Sequence, residues 1–202
     1  MNVNYNNDDV QPWGVGDGTP HTRPYCIKSL CDCQNNEAGD SMAVHELAGT
    51  KVRKEDYIDL KAIAAAYHTT HPDVADPHQQ VRFGTSGHRG QAGNGSFTQD
   101  HVAAITQAVC NLRKQFGAEG PLFVGEDTHY LSKLAYETVL SVLAANGVTA
   151  YVDSVGDFVP TPSVSRAILR YNSHRGERLA DGLIITPSHN PPEHGGIKYN
   201  PI

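Results

Sequence analysis

The chain has 202 residues, enough for a domain that buries a sizeable core without disulfides or a structural metal. Hydrophobic residues make up 39 % and aromatics only 7 %, so the expected core is aliphatic. The net charge of −6 argues against a nucleic-acid or anionic-membrane surface, both of which want clustered Lys and Arg. No run of 18 apolar residues predicts a transmembrane helix, and the N-terminus lacks the basic-then-apolar pattern of a signal peptide. The expected location is the cytoplasm, with neither nucleic acid nor membrane as partner.

Residues 1–41 show no helical or strand period, and Asn, Asp, Gly and Pro dominate them. Six acids (Asp8, Asp9, Asp17, Asp32, Glu37, Asp40) face two bases, Arg23 and Lys28. Such a stretch buries too little apolar surface to offset its ordering entropy, so 1–41 is expected to be a disordered extension. Gly14-x-Gly16-x-Gly18 lacks the preceding strand and following helix of a dinucleotide loop. Cys31-Asp32-Cys33 is too close for a zinc knuckle, and Cys26 and Cys110 supply no second pair. All four cysteines read as free thiols in a reducing compartment.

From Met42 the sequence changes character, and 42–202 is expected to form the folded domain. The run Glu55–Tyr67 predicts a modest amphipathic helix with Ile58, Ala62, Ala65 and Ala66 near one face. Residues 68–80 are a polar connector broken by Pro72 and Pro77, whose His68 and His71 read as solvated side chains. Val81–Phe83 is a short strand candidate. Thr98–Phe116 is the clearest helix: Val102, Ile105, Val109, Leu112 and Phe116 step by threes and fours, Thr98 suits the N-cap and Gly117 the stop. Pro121 introduces a buried strand, Leu-Phe-Val-Gly. Leu131–Asn146 predicts a helix with Leu134, Val139, Val142 and Leu143 inward, and Val148–Val152 a strand. Thr161-Pro162 reads as the N-cap and first turn of a helix reaching about Tyr171, with Val164, Ile168 and Tyr171 inward. Leu183–Thr186 and Ile197–Tyr199 complete the strands. Alternation of this kind predicts an α/β fold with crossover helices and a mixed, largely parallel sheet.

Two loops carry chemistry. Gly84-Thr85-Ser86-Gly87-His88-Arg89-Gly90 holds three glycines, which let backbone approach a ligand, and an Arg that can grip phosphate with paired hydrogen bonds. A tight turn with a solvent-facing Arg would have the same composition, and the Gly-Lys-Ser/Thr ending of a Walker loop is absent. The second loop, Thr186-Pro187-Ser188-His189-Asn190-Pro191-Pro192, leaves the carboxyl end of a strand, where open α/β sheets place ligands. Its three prolines stiffen it and suit a positioned hydroxyl nucleophile, although a Pro-rich surface loop would read alike. Lys198 returns on the next strand, able to move a proton or pair with phosphate. A hydrolase is a poor reading of Ser188, because the Gly-x-Ser-x-Gly elbow is missing and adjacent His189 points away in extended backbone.

Phe-Gly-Thr-Ser-Gly-His-Arg-Gly at 83–90, Ile-Thr-Pro-Ser-His-Asn-Pro-Pro at 185–192 and Gly-Gly-Ile-Lys-Tyr-Asn at 195–200 together resemble the first domain of the α-D-phosphohexomutases, in particular the bacterial glucose-phosphate type. The similarity runs from about Met42 to Pro201 and includes Gly125-x-Asp127-Thr128 and Pro160-Thr161-Pro162. It implies interconversion of glucose 1-phosphate and glucose 6-phosphate through a phosphoserine and a glucose 1,6-bisphosphate intermediate. In that scheme Ser188 carries the phosphate and, through it, Mg²⁺. His189 and Lys198 handle protons, Arg89 steadies the transferring phosphate, and Thr85, Ser86 and His88 support phosphate binding. Sugar phosphates and the remaining domains of a longer enzyme are the implied partners. The family's Asp-rich metal loop and its sugar- and phosphate-anchoring loops match no segment here, so this chain is expected to be the phosphoserine domain, inactive by itself. The alternative is a truncated, non-catalytic sugar-phosphate-binding domain.

Overall fold

The computed structural model describes residues 47–84, 86–174 and 178–202; the expected tail at 1–41, with Cys26, Cys31 and Cys33, lies outside them. Two compact units divide the chain, Met1–Lys51 and Val52–Ile202. In the first, residues 47–50 form a turn in which the Thr50 amide and hydroxyl both donate to Leu47 O. Among the described residues the second holds four α-helices, α1 (Leu60–Thr69), α2 (Gln99–Phe116), α3 (Tyr130–Ala145) and α4 (Thr161–Asn172). Its five strands are β1 (His88–Gln91), β2 (Leu122–Glu126), β3 (Ala150–Tyr151), β4 (Asp181–Ile185) and β5 (His194–Asn200).

The strands form one sheet in the order β1-β5-β4-β2-β3. β2 pairs in parallel with β3 and β4, and β5 is antiparallel to both β4 and β1. Four strands therefore run one way and β5 alone opposes them, which matches the mixed, largely parallel expectation. Side-chain alternation sorts the two faces. Leu122, Val124, Leu183, Ile185 and Ile197 join Val102, Ile105, Val109 and Cys110 of α2 and Leu131, Ala135, Val139 and Leu143 of α3 in the main core. Phe123 and Ile184, one residue out of phase, meet Val164 and Ile168 of α4 on the opposite face. Tyr67 of α1 is buried against α3, its hydroxyl 2.9 Å from Thr138 Oγ1.

Local signals explain most boundaries. α2 starts after Thr98, whose amide donates to His101 Nδ1, and stops at Gly117 in the left-handed region at φ +67°. α1 begins at Leu60, later than Glu55, because the Asp59 carboxylate caps it by accepting from the Lys61 and Ala62 amides. Ahead of it, Lys54–Asp56 makes one 3₁₀ turn. In α4 the N-cap is Pro160, and Thr161 and Pro162 are already helical. The edge strand β3 has two residues instead of five, since only Leu122 and Phe123 of β2 lie opposite it. Val81–Phe83 is not a strand; Val81 and Phe83 are exposed, and the strand in this region starts at His88, where β5 offers a partner. No helix among the described residues is long and apolar enough to cross a membrane.

Candidate active site

The site lies at the carboxyl ends of the neighbouring strands β2 and β4, where β2 leads into α3 and β4 turns back through the Ser188 loop into β5. Crevices outside the carboxyl ends of strands are where open α/β sheets bind ligands. Ser188 sits in the turn after β4 at φ +76°, the sole non-glycine residue at positive φ among those described. That conformation costs about 1–3 kcal/mol and persists only where surroundings impose it. Two of those surroundings are local: the Ser188 amide donates to Thr186 Oγ1 at 2.8 Å, and the Thr186 amide donates to Gly196 O at 2.8 Å. Gly196 must be glycine for this closure, because a Cβ there would stand 2.5 Å from Thr186 O and 2.8 Å from Pro187 Cα.

The turn presents Ser188 Oγ to two cations. Lys198 Nζ donates to it at 2.8 Å, and an Arg89 guanidinium nitrogen lies 3.4 Å away. The same Arg89 nitrogen donates to Ser86 Oγ at 3.2 Å. Sheet register brings these cations together. Arg89 pairs with Gly196 and His88 with Ile197, so Arg89 shares the face of Lys198 while His88 turns to the core. Burial, and then the nearby Arg89 charge, push the Lys198 ammonium below its ordinary value; Asp127 opposes the shift.

The placements of the expected site residues differ. Ser188, Lys198, Arg89 and Ser86 converge. His88 does not join them: 3 % exposed, it stacks between Phe97 and His101, and its Nε2 donates to Ser96 O at 2.8 Å. Burial pushes its pKa down, and a phosphate would not meet an accessible ring. Strand alternation is the reason, since adjacent His88 and Arg89 cannot serve the same face. His189 is exposed and makes no hydrogen bond to Ser188 among the described residues. Thr85 lies outside the described residues. Its loop closes as a tight turn, with the Gly84 amide donating to Gly87 O at 3.0 Å. Gly87, at φ +121°, packs so closely on Ile197 that a Cβ would overlap its carbonyl.

Behind the loop stands a pair of which the motifs mark only Asp127, and that without a role. Asp127 and His129 follow β2, and His129 Nε2 donates to Asn190 O at 3.0 Å. Among the described residues no group of three or more His, Cys, Asp or Glu is placed to hold a metal. Both Asp127 carboxylate oxygens are already engaged, Oδ1 by Ser132 and Oδ2 by His129. The described side chains therefore do not fit a divalent cation by themselves.

This architecture defines an α/β/α domain that displays one strained serine hydroxyl to a lysine and an arginine. The profile described as "Phosphoglucomutase/phosphomannomutase, alpha/beta/alpha domain I" matches residues 80–201, and the chain belongs to that family. It is 48 % identical over 159 residues to a phosphoglucomutase of Komagataeibacter xylinus, covering 79 % of this chain and 29 % of that protein. A phosphoglucomutase/phosphomannomutase of Thermococcus kodakarensis is 38 % identical over 117 residues, covering 57 % of this chain and 24 % of its own length. Among solved structures, the open form of Paramecium parafusin, a phosphoglucomutase, superposes with a TM-score of 0.52 at 27 % identity, over 65 % of this chain and 23 % of that one. The chain thus spans under a third of the length of these relatives.

Proposed function

We propose that this chain is the phosphoryl-carrying domain of a phosphoglucomutase, with Ser188 as the residue that is phosphorylated. The observation that supports it most is Ser188 Oγ held on a strained turn between Lys198 Nζ at 2.8 Å and Arg89 at 3.4 Å. Phosphoryl transfer depends on positioning and charge neutralisation more than on covalent chemistry. In the forward step a hydroxyl of glucose 1-phosphate or glucose 6-phosphate attacks the Ser188 phosphorus. A P–O bond to the sugar forms, the P–Oγ bond breaks, and glucose 1,6-bisphosphate results. In the return step Ser188 Oγ attacks the other phosphate of that intermediate and releases the isomeric monophosphate.

Each residue has a separable task in this scheme. Lys198 gives Oγ a proton as the phosphate leaves and takes it back on return, and its lowered pKa suits that exchange. Arg89 offsets charge on the equatorial phosphate oxygens, with Ser86 holding its guanidinium. His189, exposed beside Ser188, takes the proton of the sugar hydroxyl. Mg²⁺ enters this reading only through phosphate oxygens on Ser188, where it would supply charge neutralisation. Sugar phosphates are the proposed partners, and cytoplasm the proposed location.

The test is the half-reaction alone, which needs no turnover by this domain: phosphate uptake by the purified chain from glucose 1,6-bisphosphate with Mg²⁺, followed by peptide mass spectrometry. Ser188 should carry the phosphate, Ser188→Ala should take up none, and Lys198→Met should slow uptake about 10²–10³-fold. Phosphate on Thr186 or Ser163 with none on Ser188 overturns the assignment.

A further inference from the structure

The loop that carries Ser188 is fastened at both ends, and its far end is fastened from another strand. Asp127 leaves the end of β2 and ties it to β4, its amide donating to Ile185 O at 3.0 Å. Its carboxylate then becomes a receptor for α3. Oδ1 accepts from the His129 amide at 3.0 Å and from Ser132 Oγ at 2.6 Å, and Oδ2 lies against His129 Nδ1 at 2.9 Å. These bonds fix the imidazole, whose side chain is only 14 % exposed. The other ring nitrogen, Nε2, donates to Asn190 O at 3.0 Å.

Asn190 lies two residues past Ser188. Thr186 holds the near side of the turn from within the hairpin. On the far side, His129 gives the 186–193 segment its one backbone hydrogen bond from outside the β4–β5 hairpin, among the described residues. A serine at φ +76° persists only where its surroundings impose that conformation.

We propose that Asp127 and His129 are positioning residues for the nucleophile: a carboxylate-oriented imidazole that clamps the Asn190 carbonyl and so keeps Ser188 Oγ in register with Lys198 and Arg89. This rests on the phosphoserine reading for its purpose, though not for its geometry. The ring stands between two oxygens, Asp127 Oδ2 at Nδ1 and Asn190 O at Nε2, so its two halves separate by substitution. His129→Asn keeps a donor short enough for Asp127 but not one that reaches Asn190. His129→Gln carries its amide farther, to the Nε2 position. Asp127→Asn weakens the hold on the ring.

The experiment compares hydrogen exchange of the 186–198 segment in the purified chain with that of α2, and phosphate uptake at Ser188 from glucose 1,6-bisphosphate with Mg²⁺. His129→Ala and His129→Asn should speed loop exchange and slow uptake, each about fivefold, the population shift of one lost hydrogen bond. His129→Gln should return both to within about twofold, and α2 exchange should stay at the wild-type rate. Loop exchange that is unchanged in His129→Ala, or a Gln variant as loose as the Ala variant, overturns the clamp. Loosening that follows this pattern while wild-type Ser188 takes up no phosphate supports the clamp and counts against the phosphoserine reading alone.

Discussion

Glu126 closes β2 one residue before the clamp, and its Oε2 is buried without a hydrogen-bond partner among the described residues. Burial pushes this carboxyl above its ordinary value, with Lys133 pulling it back and Asp127 and Glu137 adding to the rise. The folded protein therefore binds the proton more tightly than the unfolded chain does. Below the usual glutamate range both forms are protonated and the penalty is absent; as pH rises through the raised pKa, the folded state alone bears a poorly solvated charge. Glu126→Gln should raise Tm by about 2 °C at pH 8, and calorimetry at pH 4 should show most of that gain gone. Equal gains at both pH values would mean that charge burial is not the cause. At this scale the sequence was informative about Ser188, Lys198 and Arg89, since a stiff loop at a strand end and a returning strand can be read from residue types. It was silent on His129, because His129 meets Asn190 across 61 residues and through a carbonyl that any residue could offer. It misled on His88, where loop chemistry was read and a strand's alternation ruled.

Helix α2 is tied to the sheet by a buried ion pair, Arg113 with Asp181 at the start of β4, and Tyr199 of β5 donates to Asp181 Oδ2 at 2.8 Å. Arg113 also donates to Gly120 O, so one guanidinium joins the helix, the following loop and β4, and Asp181 carries the link on to β5. Both charged side chains are at most 5 % exposed. Removing one partner leaves the other uncompensated, so Arg113→Met should cost about 3–5 kcal/mol in denaturant unfolding. The double variant Arg113→Met, Asp181→Leu should recover much of that loss; a double variant as unstable as the single would show that packing, not charge, is at stake. Elements with strong local signals, α2 above all, were legible from apolar spacing, cap and terminal glycine. The edge elements were not. β1 reads His-Arg-Gly-Gln, with no apolar alternation, and becomes a strand only because β5 arrives opposite it about a hundred residues later. Val81–Phe83 has the strand composition but no partner among the described strands.

Across the molecule, every described core residue belongs to the unit Val52–Ile202, and the two apolar clusters begin with Ile63. A chain starting at Val52 should therefore unfold in one cooperative transition with Tm within about 2 °C of the 202-residue chain. A drop of more than about 5 °C would assign residues 1–51 a share of the core. The sheet's one reversed strand has a consequence for the order in which the site comes into being. Because β5 folds straight back on β4, Lys198 reaches Ser188 across only 10 residues, a short loop that closes at small entropic cost. Arg89 reaches the same oxygen across 99 residues and depends on β1 docking at the outer edge. During refolding the serine–lysine pair can form with the hairpin, while the arginine arrives last, after the long-range pairing that slows such topologies. Transient fraying of that edge strand would reverse the sequence, withdrawing the arginine and leaving the serine and lysine together.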